Sequence, residues 1–99
     1  MSSIRFHRKV DIRKEMASIE QAIDKLYKDH FGKMVSILLY ASRDIDPETA
    51  EDLVQDSFSA ALTDWKNNGI PLNPAGWIYR VCRNKALNKI KKEKQISVL

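Results

Sequence analysis

Residues 73–92 read NPAGWIYRVCRNKALNKIKK. Asn73 followed by Pro74 is a helix start. The Asn side chain accepts a bond from a first-turn amide, and proline suits the first helical position because it has no amide hydrogen to leave unpaired. Ile78, Val81, Cys82, Ala86 and Ile90 then recur at spacings of three and four, which predicts one apolar stripe along a helix. Around that stripe stand two aromatic rings, Trp77 and Tyr79, and six cations, Arg80, Arg83, Lys85, Lys89, Lys91 and Lys92. A helix that only fills a core has no use for this combination.

Two more helices precede it. In the first, Ile19, Ala22, Ile23, Leu26, Tyr27, His30, Phe31, Met34, Val35, Leu38 and Leu39 form one broad apolar face over about six turns. Gly32 lies within it and reads as a bend or a close contact. The second begins at DIDPETAED with the same grammar, Asp46 as cap and Pro47 in first position, and Glu48 complements the helix dipole. Ala50, Leu53, Val54, Phe58, Ala61, Leu62 and Trp65 supply its buried stripe, and Asn67, Asn68 and Gly69 its stop. The expected fold is all-α, a small bundle of three main helices. Only IRFHRKVDI hints at a strand, since Ile4, Phe6, Val10 and Ile12 share one parity. Residues 1–15 are expected to form an appended or loosely ordered arm, because Met16 is itself a plausible start.

The totals narrow the class. Ninety-nine residues make one small domain. A content of 43% hydrophobic and 30% charged residues is that of a soluble globular chain, and no apolar run approaches a membrane span. The basic N-terminus lacks the apolar block of a secretory signal, and a single cysteine, Cys82, rules out an internal disulfide; both fit an intracellular, reducing setting. Catalysis and metal binding find little support. His7 and His30 lie in different segments, His30 and Cys82 fall on apolar stripes, and neither a phosphate-cradling glycine loop nor a nucleophile elbow is present. Glu48, Asp52 and Asp56 share a helix face beside Glu51, but without histidine partners they read as a solvated face. No cofactor is expected.

Charge is segregated along the chain. The net charge is +4, yet residues 44–64 hold seven acids and no base, whereas residues 75–95 hold seven bases against Glu93. That asymmetry points to two surfaces for two kinds of partner, the competing reading being neutralisation across a helix pair. For the basic helix, nucleic acid is the partner that explains most. Arg and Lys neutralise phosphates, Asn84 and Asn88 one turn apart offer donors and acceptors to base edges, and aromatic rings near the start can stack on unpaired bases. Bracing of the fold is the alternative role for Trp77 and Tyr79. KNNGIPLN, between the second and third helices, can line a pocket for an everted base.

PETAEDLVQDSFSAAL followed by GIPLNPAGWIYRVCRNKALNKIKKEK resembles the first conserved domain, region 2, of extracytoplasmic-function sigma factors in the bacterial sigma-70 superfamily, and LYKDHFGKMVSILLYAS resembles its opening helix. The resemblance covers about residues 19–94 and divides the chain into an arm (1–15), the region 2 domain (16–95) and the start of a linker (96–99) that in the family leads to a second domain, so the chain is expected to be either a piece of a longer factor or a single-domain relative. It implies a bacterial, cytoplasmic, non-enzymatic protein that recognises and helps melt the promoter −10 element on the non-template strand. RNA polymerase core is the implied partner, through the β′ clamp coiled coil, with an anti-sigma factor as a further one. Carried over by position, Glu51, Asp52, Gln55 and Asp56 face the clamp. Lys66, Asn67, Asn68 and Ile70 belong to the base-capturing loop, and Asn73 begins the reading helix. Trp77 braces the loop, Arg80, Arg83, Asn84, Lys85 and Asn88 contact base or phosphate, and Lys89 neutralises the backbone. The competing reading is a helical protein-interaction module, or a sigma-binding regulator, that does not read DNA.

Overall fold

The computed structural model describes the backbone of residues 2–98 and the side chains of residues 17–93. Three α-helices follow one another: α1 (Ser2–Ala41), α2 (Pro47–Asn68) and α3 (Pro74–Val98), with no strand among the described residues. The all-α bundle expected from periodicity is the fold observed. The strand-like parity of Ile4, Phe6, Val10 and Ile12 produces no strand, because α1 already runs from Ser2. The same residues satisfy helical spacing, with Phe6 and Val10 four apart and Ile4 and Ile12 eight apart. The packing of the expected 1–15 arm and of the 96–99 linker lies outside the described side chains.

Both predicted caps form. The Thr49 amide donates to Asp46 Oδ1 at 2.7 Å at the start of α2, and the Gly76 amide donates to Asn73 Oδ1 at 3.1 Å at the start of α3. Between α1 and α2, the Asp44 amide donates to Ser42 Oγ at 3.1 Å and tightens the turn. α2 stops at Gly69, whose φ of 84° is open to glycine but strained for any other residue, while its amide still donates to Trp65 O at 2.8 Å. Gly76 is needed for a different reason: a Cβ there would come within 2.5 Å of Asn73 Nδ2 and push the capping amide aside. Gly32 makes no close contact, since a Cβ there would meet nothing within 4 Å.

α2 is the central helix and packs on both others. Ala50, Leu53, Val54, Phe58, Ala61 and Trp65 bury against Ile19, Met34 and Leu38 of α1 and against Ile78, Cys82 and Ala86 of α3. The alanines let the backbones approach, and the large rings fill what remains. Two buried residues escape the apolar pattern. Ile45 closes the core from the α1–α2 turn, and Ser57 is fully buried because its hydroxyl donates to Leu53 O at 2.8 Å. Leu39 and Tyr27 sit at the margin of the α1 stripe and stay more than a third exposed.

Among the described residues, one aromatic contact joins each helix pair. Tyr27 of α1 meets Phe58 of α2 edge-on at 5.1 Å, and also stacks on Phe31. His30 of α1 meets Tyr79 of α3 at 5.6 Å, with a 3.1 Å hydrogen bond between His30 Nδ1 and the Tyr79 hydroxyl. Trp65 of α2 meets Trp77 of α3 at 5.5 Å. Such pairs contribute about 0.5–1.5 kcal/mol beyond the area they bury. His30 and Tyr79 are therefore half-buried boundary residues that link α1 to α3.

Candidate nucleic-acid interface

The α2–α3 connection is shorter than its polar sequence suggests. Lys66, Asn67 and Asn68, expected in a base-capturing loop, lie instead on the last turn of α2. The Asn67 amide donates back to Thr63 O at 3.2 Å, and that of Asn68 donates to Asp64 Oδ1 at 3.0 Å, so both side chains lengthen the helix. Only Gly69, Ile70, Pro71, Leu72 and Asn73 remain between the helices. All three α2-terminal residues are exposed, as are Ile70 and Asn73.

That five-residue span is held at both ends and from below. The Gly69 amide bonds to Trp65 O, and the Trp77 amide donates to Asn73 O at 3.0 Å. Trp65 and Trp77 meet beneath these two anchors, Trp65 fully buried and Trp77 half-buried. With its ends fixed, the loop presents apolar side chains outward: Ile70 is 42% exposed and Leu72 is fully exposed. Leu72 is not among the expected site residues; an isolated leucine between Pro71 and a capping asparagine, in neither helical stripe, is the signal that marks it. Trp65 Nε1 is also unusual, as a buried donor without a partner among the described residues.

From the loop, α3 carries its polar side chains away along one face. Arg80, Arg83, Asn84 and Asn88 are exposed, and Arg80, Asn84 and Asn88 follow one another at intervals of four. This strip covers the eight-residue rise from Arg80 to Asn88, about 12 Å. Lys85 and Lys89 sit on a flank and are half-buried. Lys89 pairs with Glu93 at 3.7 Å and lies near enough to Asp46 to favour its ionised form, so it faces the start of α2. Beneath the strip, burial pushes the Cys82 thiol and the Tyr79 phenol above their ordinary ionisation values. Both stay neutral, which suits core packing better than chemistry.

The acidic residues occupy a separate surface. Glu51, Asp52, Gln55 and Asp56 are all exposed, on the side of α2 opposite its buried stripe. Neither they nor any other described His, Cys, Asp or Glu residues form a group of three or more able to hold a metal ion. No helix among the described residues is long and apolar enough to cross a membrane.

Comparison with curated proteins gives no match, and comparison with solved structures gives none. The sigma-70 region 2 family profile, in contrast, matches residues 26–96, from the middle of α1 to the end of α3. With that span and this three-helix fold, the chain belongs to the sigma-70 region 2 family, whose domains serve promoter recognition together with RNA polymerase and are not enzymes.

Proposed function

We propose that this chain is an extracytoplasmic-function type of region 2, which captures the melted non-template strand of a promoter −10 element while docked on the β′ clamp coiled coil. One observation carries the reading. The exposed basic strip of α3 and the exposed acidic face of α2 belong to different sides of one bundle, so a polyanion and a protein can be held together. Asp52, Gln55 and Asp56, with Glu51 beside them, face the clamp in this reading. Ile70 and Leu72 lie against the face of an unpaired base, Asn73 and Trp77 hold the loop in place, and Asn84 and Asn88 read base edges. Arg80, Arg83 and Lys85 take the phosphates, with Lys66 and Lys89 at the margins. Asn67 and Asn68, tied back into α2, contribute through position more than through their amides. The protein belongs in the bacterial cytoplasm, where promoter and polymerase are.

The test is a strand-specific binding assay with labelled oligonucleotides, with and without polymerase core. Non-template −10 strand should bind more tightly than scrambled strand or duplex, and core should raise its affinity. Asp52→Arg should abolish the gain from core and leave the strand affinity of the isolated chain in place. Equal binding of all oligonucleotides, with no response to core, would overturn the reading in favour of an interaction module that does not read DNA.

A further inference from the structure

Between the C-terminal half of α1 and α3 runs an open groove of about 590 Å³, lined by no Asp or Glu. Its floor is core: Met34, Leu38, Cys82 and Ala86 are all buried. Its walls are apolar side chains left half in water, Ile37 at 51% exposure and Leu87 at 47%. Along α3 the lining has a polar end and an apolar end. Tyr79, Arg80 and Arg83 come first, and Ala86, Leu87 and Ile90 follow, over a rise of about 16 Å. Besides Tyr79, the hydroxyl in the lining is that of Ser42, whose oxygen already accepts the Asp44 amide. Both arginines are exposed, and neither pairs with an acid among the described residues.

We propose that this groove is a binding site for a long-chain fatty acid, its carboxylate on Arg80 and Arg83 and its acyl chain laid along the channel towards Ile90. The volume is that of a small-molecule cleft, about 300–1,000 Å³, and such clefts combine an apolar lining with a few placed polar groups. Two guanidiniums supply charge-assisted donors for one carboxylate, and no acid in the lining competes for them. The remaining length is apolar, so each methylene that leaves water for it adds to affinity. Other occupants match only one end. Inorganic phosphate or a nucleotide suits the arginines and leaves the apolar floor bare, whereas a neutral hydrocarbon suits the floor and leaves the guanidiniums unused. A second copy of this chain fits poorly, since a two-fold contact would bring Arg80 and Arg83 of one copy towards those of the other. Fatty-acid binding needs the groove alone and is independent of the promoter role.

The test is calorimetric titration of the whole 99-residue chain with laurate at neutral pH, below the concentration at which laurate forms micelles. One equivalent should bind. Octanoate, with a shorter tail, should bind about 10-fold more weakly or worse. Dodecanol and dodecylamine, which keep the tail and lose the anion, should also bind about 10-fold more weakly or worse. On the double variant Arg80→Gln with Arg83→Gln, laurate should fall to the level of dodecanol, and dodecanol should bind as it does to the parent. Ile37→Gln and Leu87→Gln, one on each wall, should each weaken laurate about 5-fold or more, with circular dichroism to confirm that the variants fold. Dodecylamine binding as tightly as laurate would overturn the proposal, as would several laurates per chain or indifference to both wall variants. So would retention on phospholipid vesicles without binding of free laurate, which would mark the groove as a membrane contact. No arm contains DNA, so loss of the promoter reading leaves the outcome untouched.

Discussion

Asp46 shows how one side chain sets both a boundary and a pH response. Its hydrogen bond from Thr49 holds the carboxyl below its ordinary value of 3.8, with Lys89 adding the smallest share. A carboxyl depressed by folding lends stability above its unfolded value and loses it as pH falls through the folded one. Asp46→Asn keeps an acceptor at the cap but does not titrate. The melting temperatures of the parent and Asp46→Asn should therefore differ at pH 7 and start to converge only as the pH falls below about 4, which thermal unfolding followed by circular dichroism checks. On α3, Asn84 and Lys91 are both exposed and differ in what they can read. Asn84→Ala should lose about 1–3 kcal/mol on the preferred −10 sequence and much less on scrambled strand, whereas Lys91→Ala should weaken all sequences alike. Parallel titrations of the two oligonucleotides separate these outcomes.

The helices themselves were legible because their punctuation is explicit. Asp46–Pro47 and Asn73–Pro74 each pair a capping side chain with a proline, and both caps close as chemistry requires. The end of α2 was less legible. Asn67 and Asn68 read as loop because asparagine tolerates left-handed backbone, yet each finds an acceptor one turn back and stays helical. Among the described residues only Gly69 adopts positive φ. Ser57 was invisible for a related reason: a hydroxyl in an apolar stripe looks like an interruption until the Leu53 carbonyl is seen to accept from it. Glycine substitutions test these element-level statements with opposite signs. Gly69→Ala forces a side chain into a backbone region that is essentially glycine's own and should destabilise by about 1–3 kcal/mol. Gly32→Ala, in open space inside α1, should stabilise by about 0.5–1 kcal/mol. Urea denaturation of the two variants beside the parent measures both.

At the scale of the molecule, charge segregation along the chain becomes segregation across the bundle, since the apolar stripes turn the acidic face of α2 and the basic strip of α3 outward independently. The charge runs were legible in the sequence; that α2 would be the helix packed on both others was not, because it follows only from how the three apolar stripes meet. For the basic strip, strand affinity should fall with salt, with a logarithmic slope of about −3 if four phosphates are neutralised. A slope near zero over a salt titration would contradict phosphate contact. The two tryptophans of the chain lend the molecule one more property. They form a single T-shaped pair, one indole sealed in the core and the other part-way to solvent, under the residues that join α2 to α3. Any ligand that lifts or presses that connection must disturb their contact, so ultraviolet emission from the unlabelled protein serves as a built-in gauge of whether the loop is occupied.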